Sequence, residues 1–249
     1  MNNNILEIDH LKKVYHTKQN EILALEDVSF KVKNKEFVSI IGPSGCGKST
    51  ILGILSFLVP KSGGTVKFYK DKPVIGYMLQ TDALFPWKSV YENCLLGLKI
   101  RKEETKENVL RVEKLLKKYD LWEFKDNYPD SLSGGMRQRV ALIRTLAIDP
   151  DILFLDEPFS KLDYQTRLAL SNDIYNIIKK EGKTAIMVTH DIAEAISMSD
   201  RIIILSKRPG KVKKIEEIKL KGKNPIENRK DPLFLEYHDK IWRQLDEYL

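Results

Sequence analysis

Nine consecutive residues, Gly42-Pro43-Ser44-Gly45-Cys46-Gly47-Lys48-Ser49-Thr50, bring together the groups needed to hold a nucleotide polyphosphate. Gly42, Gly45 and Gly47 permit a tight backbone turn, so that successive N–H groups and the start of the following helix can surround phosphate oxygens. Lys48 reaches the β/γ region and the Ser49 hydroxyl is a magnesium ligand. The loop alone does not separate an ATPase from a kinase or a GTPase. The sequence has no guanine-reading Asn-Lys-x-Asp segment, which favours ATP.

Four further positions fit phosphoryl chemistry. Asp156 and Glu157 follow the apolar run Ile152 to Leu155. At the exit of a strand, Asp156 can hold magnesium and Glu157 can polarise the attacking water. Side chains alternate along a strand, so both reach one site only if the strand ends there, and Pro158 stops it. His190 closes Thr184 to Thr189 and is one of four histidines. Alone it reads as an ordinary surface or core residue, and beside a phosphate loop as a γ-phosphate contact. Gln80 closes Tyr77-Met78-Leu79, where its amide can reach magnesium or water without adding charge; the plainer reading is a polar strand cap.

The elements that must position these groups alternate strand with helix, the pattern of a largely parallel sheet covered on its faces. Ile5 to Ile8 and Val28 to Val32 alternate apolar and polar residues. Phe37 to Ile41 is continuously apolar and runs into the phosphate loop. Thr65 to Tyr69 and Ile75 to Leu79 predict short strands, Tyr164 to Lys180 a crossover helix, Arg201 to Leu205 a buried strand and Lys211 to Leu220 a basic edge strand. From Pro86 to Asp130 the signal is helical, with Val109, Val112, Leu115 and Leu116 as the apolar stripe of a charged segment. It predicts a helical lobe inserted in the nucleotide-binding core. Leu233, Tyr237, Ile241, Leu245 and Leu249 recur at helical spacing and predict a terminal helix packed on the core or on a neighbour.

Composition narrows the setting. The chain has 249 residues, enough for one large α/β domain or a main domain with a smaller lobe, and its net charge of +7 selects no partner. Cys46 and Cys94 stand in no metal or redox spacing, no apolar run is long enough to span a bilayer, and the first residues lack a secretion pattern.

Leu132-Ser133-Gly134-Gly135-Met136-Arg137-Gln138-Arg139 opens a second glycine-bearing helix start, redundant for phosphate binding unless it meets a different nucleotide. With this segment the chain, up to about residue 210, resembles the nucleotide-binding subunit of an ATP-binding cassette transporter. The resemblance implies an α/β P-loop NTPase core of ABC ATPase type, with an inserted helical subdomain and an antiparallel β subdomain. Its expected divisions are a core at 1–85 and 150–220, a helical lobe at 86–149 and a helical tail at 221–249. It implies ATP and Mg2+ as cofactors and a second copy of the subunit, against whose γ-phosphate Ser133, Gly134 and Gly135 are placed. Tyr15 matches the aromatic platform for adenine. Ser160-Lys161-Leu162-Asp163 matches the loop that crosses the dimer interface, with a lysine where a small residue is commoner.

Met136, Leu84-Phe85-Pro86-Trp87 and Arg208-Pro209-Gly210 resemble the branch of import ATPases serving nitrate, sulfonate and taurine. That branch implies membrane permease subunits, indirectly an extracytoplasmic solute-binding protein, and a peripheral place on the cytoplasmic face of the membrane. No nucleic-acid partner is expected. DNA-maintenance relatives insert a very long coiled coil between these motifs, and translation-associated relatives carry two ATPase cores.

Overall fold

The computed structural model describes residues 3–16, 20–160 and 162–246. Its elements begin with β1 (Asn4–His16), β2 (Glu21–Lys33), β3 (Phe37–Ile41) and α1 (Lys48–Leu55). There follow β4 (Gly63–Phe68), β5 (Ile75–Met78), α2 (Val90–Arg101), α3 (Lys106–Lys118) and α4 (Gly134–Leu146). The second half holds β6 (Ile152–Asp156), α5 (Tyr164–Lys180), β7 (Thr184–Val188), α6 (Ile192–Met198), β8 (Arg201–Leu205), β9 (Gly210–Glu217), α7 (Pro225–Asn228) and α8 (Leu233–Asp246). Two short 3-10 turns, Trp122–Phe124 and Pro129–Ser131, lie between α3 and α4.

Among the described residues nine strands form one sheet in the order β4-β1-β2-β9-β8-β3-β7-β6-β5. Strands β8, β3, β7, β6 and β5 are parallel neighbours, while β4, β1 and β2 form the antiparallel part. Of these, β3, β6, β7 and β8 are buried on both faces, which is why they read as apolar runs without alternation, while the edge strand β5 is buried at every second residue. On β6, Ile152 and Phe154 enter the core beneath α1, and Leu153 and Leu155 enter the core shared with α2, α4 and α5. The helical run from α2 to α4 lies between β5 and β6, two strands paired in the sheet, and is therefore an insertion.

Several boundaries differ from those the sequence predicts. β1 and β2 are much longer than their apolar cores because register shifts after Asn4, Ile8, Leu11 and Lys13 break the alternation that marks a strand. The basic strand β9 is not at an edge. It stands between β2 and β8, joined to β2 at Leu25/Gly210 and Asp27/Lys211. Helix α3 starts only at Lys106, where the Thr105 hydroxyl accepts the Asn108 N–H, so Lys102, Glu103 and Glu104 before it are not helical.

The terminal helix packs on α6 through Phe234 and Ile241, with Tyr237 and Leu245 partly buried beside them; Leu233 is exposed and Leu249 lies outside the described residues. Ile241→Ala should therefore cost about 2–4 kcal/mol in urea unfolding, against less than about 1 kcal/mol for Trp242→Ala one position on. Equal losses would show that α8 is not anchored through this face.

Candidate active site

The carboxyl ends of the five parallel strands lie along one edge of the sheet, where the connecting loops form a crevice. The phosphate loop leaves β3 and feeds α1. Gly47 has φ 103°, and a Cβ there would stand 2.5 Å from Leu25 Cδ2 on β2, so only glycine lets the loop turn this close to the antiparallel strands. Cys46 is buried behind the loop, its thiol raised above the usual range by burial. The Lys48 ammonium, itself buried, donates to Gly42 O at 2.8 Å and Pro43 O at 3.1 Å. Pro43 thus supports the lysine through its carbonyl.

The loop lines a cavity of about 590 Å³ together with Tyr15, Ile22, Ala24, Glu157 and Arg208. Ser44, Gly45, Ser49 and Thr50 face it as well. Tyr15 donates to Thr50 Oγ1 at 3.3 Å, and the Lys13 ammonium stands 4.7 Å from the ring centroid. These contacts fix the ring at the apolar end of the cavity, where a purine can stack.

Ser49 Oγ donates to Asp156 Oδ1 at 3.1 Å, and Tyr77 donates to Asp156 Oδ2 at 3.0 Å. A hydroxyl and one carboxylate side by side fit magnesium, which takes its other oxygens from water and phosphates. Burial and the Asp156 charge keep Tyr77 a neutral donor far above the usual phenol range. Among the described residues no group of three or more His, Cys, Asp or Glu side chains forms a metal cage of its own.

Glu157 follows with φ 45°, an uncommon conformation for a residue with a side chain. This turn sends its carboxylate away from Asp156. Glu157 Oε2 accepts from Gln80 Nε2 at 3.2 Å and lies 3.2 Å from His190 Nδ1, while Gln80 also donates to Ser160 Oγ at 3.2 Å. Three strand ends thus bring Gln80, Glu157 and His190 into one cluster. Such a carboxylate, oriented by neutral or cationic donors, is suited to taking a proton from water.

The Gln80 segment is braced from below. Buried Asn93 accepts the Phe85 N–H at 2.8 Å and donates to the carbonyls of Phe85, Lys88 and Ser89 at 3.0–3.1 Å. Arg144 on α4 donates to Asp82 O and Ala83 O, both at 2.7 Å, and Arg137 Nε meets Asp82 Oδ2 at 3.0 Å. Phe85 and Trp87 pack edge to face on the outer surface, with Trp87 69% exposed.

Ser133, Gly134 and Gly135 are not in this cavity. They line a second one, of about 430 Å³, with Asp163 and Thr166 from the start of α5. Ser133 caps α4 by accepting the Met136 N–H at 3.3 Å, which leaves its hydroxyl proton free to donate. Asp163 caps α5 through Thr166 N at 3.1 Å, and its hydrogen bonds to Thr166 hold its carboxyl below the usual range. A Cβ on Gly134 would come no closer than 3.5 Å to Leu162 Cδ2, and one on Gly135 no closer than 3.9 Å to Thr166 Cγ2. Packing within the chain therefore does not demand glycine at either place. Lys161 lies outside the described residues.

A family profile described as ABC transporter matches residues 25–160. The chain belongs to the ABC transporter family. It is 44% identical over 248 residues to an uncharacterized ABC transporter ATP-binding protein, YtlC of Bacillus subtilis, covering 97% of this chain and 95% of that protein. It is 39% identical over 220 residues to the aliphatic sulfonates import ATP-binding protein SsuB of Bacillus cereus, covering 86% of each. Its fold is similar to the dimeric ATP-binding cassette MJ0796, solved with ADP and Pi, at a TM-score of 0.72 and 32% identity over 86% of this chain and 99% of that one. The P-loop core, helical subdomain and antiparallel β part are those of an ABC ATPase.

Sequence reasoning missed a buried network behind His190. Arg167 on α5 donates to Leu162 O at 3.0 Å, meets Asp191 Oδ2 at 3.3 Å and approaches Glu194 Oε1 at 3.8 Å, while Thr189 donates to Glu194 Oε2 at 2.7 Å. Burial pushes the Glu194 carboxyl up to about 7, with Asp191 adding to the rise and Thr189, Arg167 and His190 opposing it. Asp191 and Glu194 stand at the spacing of a helix N-cap, which the sequence offered, but nothing in the sequence ties them to Arg167, 24 residues before Asp191.

Unfolded, the Glu194 carboxyl titrates near its ordinary 4.5, so between that pH and about 7 the folded chain holds the extra proton. Its contribution to stability is therefore fully present below the lower value and is lost as pH rises through the upper one, by at most about 3 kcal/mol. Glu194→Gln should gain in Tm relative to the parent chain between pH 5 and pH 8. A constant difference in Tm would place the ionised carboxylate in the fold at both pH values.

Proposed function

We propose that this ABC transporter subunit binds and hydrolyses ATP to power import of a small solute through a separate membrane permease. The observation that carries the reading is Glu157, held at 3.2 Å from both Gln80 and His190 beside the Ser49–Asp156 oxygen pair. Lys48 and the N–H groups from Gly42 to Thr50 hold the phosphates, Tyr15 stacks on adenine, and Ser49, Asp156 and Gln80 supply ligands for magnesium. When bound, the ion neutralises charge on the β and γ oxygens. The Glu157 carboxylate orients and deprotonates water, and His190 contacts the γ-phosphate.

A second copy completes each site. The uncrowded glycines at the α4 start and the Ser133 hydroxyl present donors outward, and Asp163 stands beside them on the same face. Facing the partner's γ-phosphate, they bridge the two subunits until hydrolysis separates the products and weakens the closed dimer. The braced segment after Gln80, with exposed Phe85 and Trp87, offers the permease an apolar footing next to the hydrolytic cluster. Among the described residues no helix is long and apolar enough to cross a membrane; the subunit docks on the cytoplasmic face through its permease.

The likeness to an aliphatic sulfonates import protein supports a small anionic or zwitterionic solute of the nitrate, sulfonate or taurine kind, delivered by an extracytoplasmic binding protein. Selectivity then resides in the permease and binding protein, and no nucleic acid is involved.

Glu157→Gln should keep MgATP binding, lose at least about a hundredfold in turnover and accumulate as a dimer on size exclusion. Normal turnover would remove Glu157 from its assigned role. Gly135→Asp should fold with an unchanged Tm, because the added side chain has room, yet fail to form that dimer in the Glu157→Gln background, because its charge would face phosphate. Purification from membranes in mild detergent tests coupling: recovery of a multi-span permease supports transport, and an active dimer consistently free of membrane partners argues for a soluble role.

A further inference from the structure

Four of the five parallel strand ends are accounted for by the phosphate loop, Gln80, Asp156–Glu157 and His190. The fifth belongs to β8, the other parallel neighbour of β3, with Ile204 in register with Ile41. Its loop therefore emerges beside the phosphate loop. It is short and cross-braced: Ser206 N donates to Lys211 O at 2.9 Å, and Ser206 Oγ accepts the Lys211 N–H at 3.0 Å while donating to Pro209 O at 3.1 Å. At its end, Gly210 is pressed so closely on the phosphate loop that a Cβ there would fall 2.3 Å from Cys46 O.

Arg208 sits within this braced loop and lines the nucleotide cavity with Gly45, Gly47 and Lys48. The other cations near the cavity are engaged. Lys48 donates to two loop carbonyls, and Lys13, buried beneath Tyr15, donates to Pro60 O at 2.7 Å. Arg208 is exposed and has no hydrogen bond or ion pair among the described residues. A nucleoside di- or triphosphate with one magnesium ion keeps a net negative charge, which a single lysine only partly balances. A guanidinium offers forked donors that match phosphate oxygens.

We propose that Arg208 is a nucleotide-binding residue, reaching the polyphosphate from the β8–β9 loop on the side opposite Glu157. This rests on the ATPase reading above. The fixed loop carries Arg208 to the turn at Gly45–Gly47, so its partner is phosphate rather than adenine, and it serves ATP and ADP alike. Arg208 thereby sets affinity for the polyphosphate, while Glu157 and His190 act on its γ end.

The test is equilibrium binding of MgATP, MgADP and adenosine to the full chain in the Glu157→Gln background, with Arg208→Ala, Arg208→Lys and Lys48→Ala compared. Arg208→Ala should weaken MgATP and MgADP about tenfold each, leave adenosine within twofold, and lessen the salt dependence of binding; Arg208→Lys should recover part of the loss. Unchanged MgADP and MgATP affinity in an Arg208→Ala protein of parental Tm, with Lys48→Ala severely impaired, overturns the inference while sparing the ATPase reading. Weakening of adenosine to the same degree overturns it by moving the contact to the base. If Lys48→Ala also binds both nucleotides normally, the ATPase reading itself falls.

Discussion

The phosphate loop and the cluster of Gln80, Glu157 and His190 depend on five strands running the same way and stopping along one edge. A parallel sheet directs its carboxyl ends together, and each end must turn into a loop there. That geometry brings Lys48, Gln80, Glu157, His190 and Arg208 to one crevice from five separate stretches of chain. Burying both faces of β3, β6, β7 and β8 fixes their register firmly, since a shift of one residue would exchange Leu153 and Leu155 with Ile152 and Phe154 between two different cores.

Electrostatics divide this edge into zones. Next to the loop, Asp156 is paired with hydroxyls from Ser49 and Tyr77. Glu157, turned away by its positive φ, meets an amide and an imidazole instead. Two adjacent acids thus acquire different surroundings through one backbone torsion. Behind them Glu194 is buried, and Arg167 links its helix to the carbonyl of Leu162 and the cap at Asp191.

What was legible in the sequence was whatever is contiguous or strictly periodic. The glycine-rich loop and the run ending in Asp156 and Glu157 carry their meaning in a few neighbouring letters, and the apolar strands mark the parallel core. The antiparallel strands were only half visible, because bulges interrupt their alternation. The strand β9 looked like an edge because its side chains are basic, yet its placement is decided by backbone pairing with β2 and β8. On α8 a strict four-residue step drifts round the helix, so Phe234, seven residues before Ile241, faces inward where Leu233 does not. Arg208, Arg167 and Glu194 act only through neighbours that folding supplies.

The ties between α4 and the segment after Gln80 have a mechanical meaning. Arg144 uses two donors on successive carbonyls, of Asp82 and Ala83, and Arg137 holds the Asp82 side chain. Pulling the segment off the helix would strip a largely desolvated guanidinium of both partners at once, so the two travel as one stiff piece. Ser133, at the head of that same helix, is therefore joined to the segment that carries Trp87 by side-chain bonds that do not pass through the sheet.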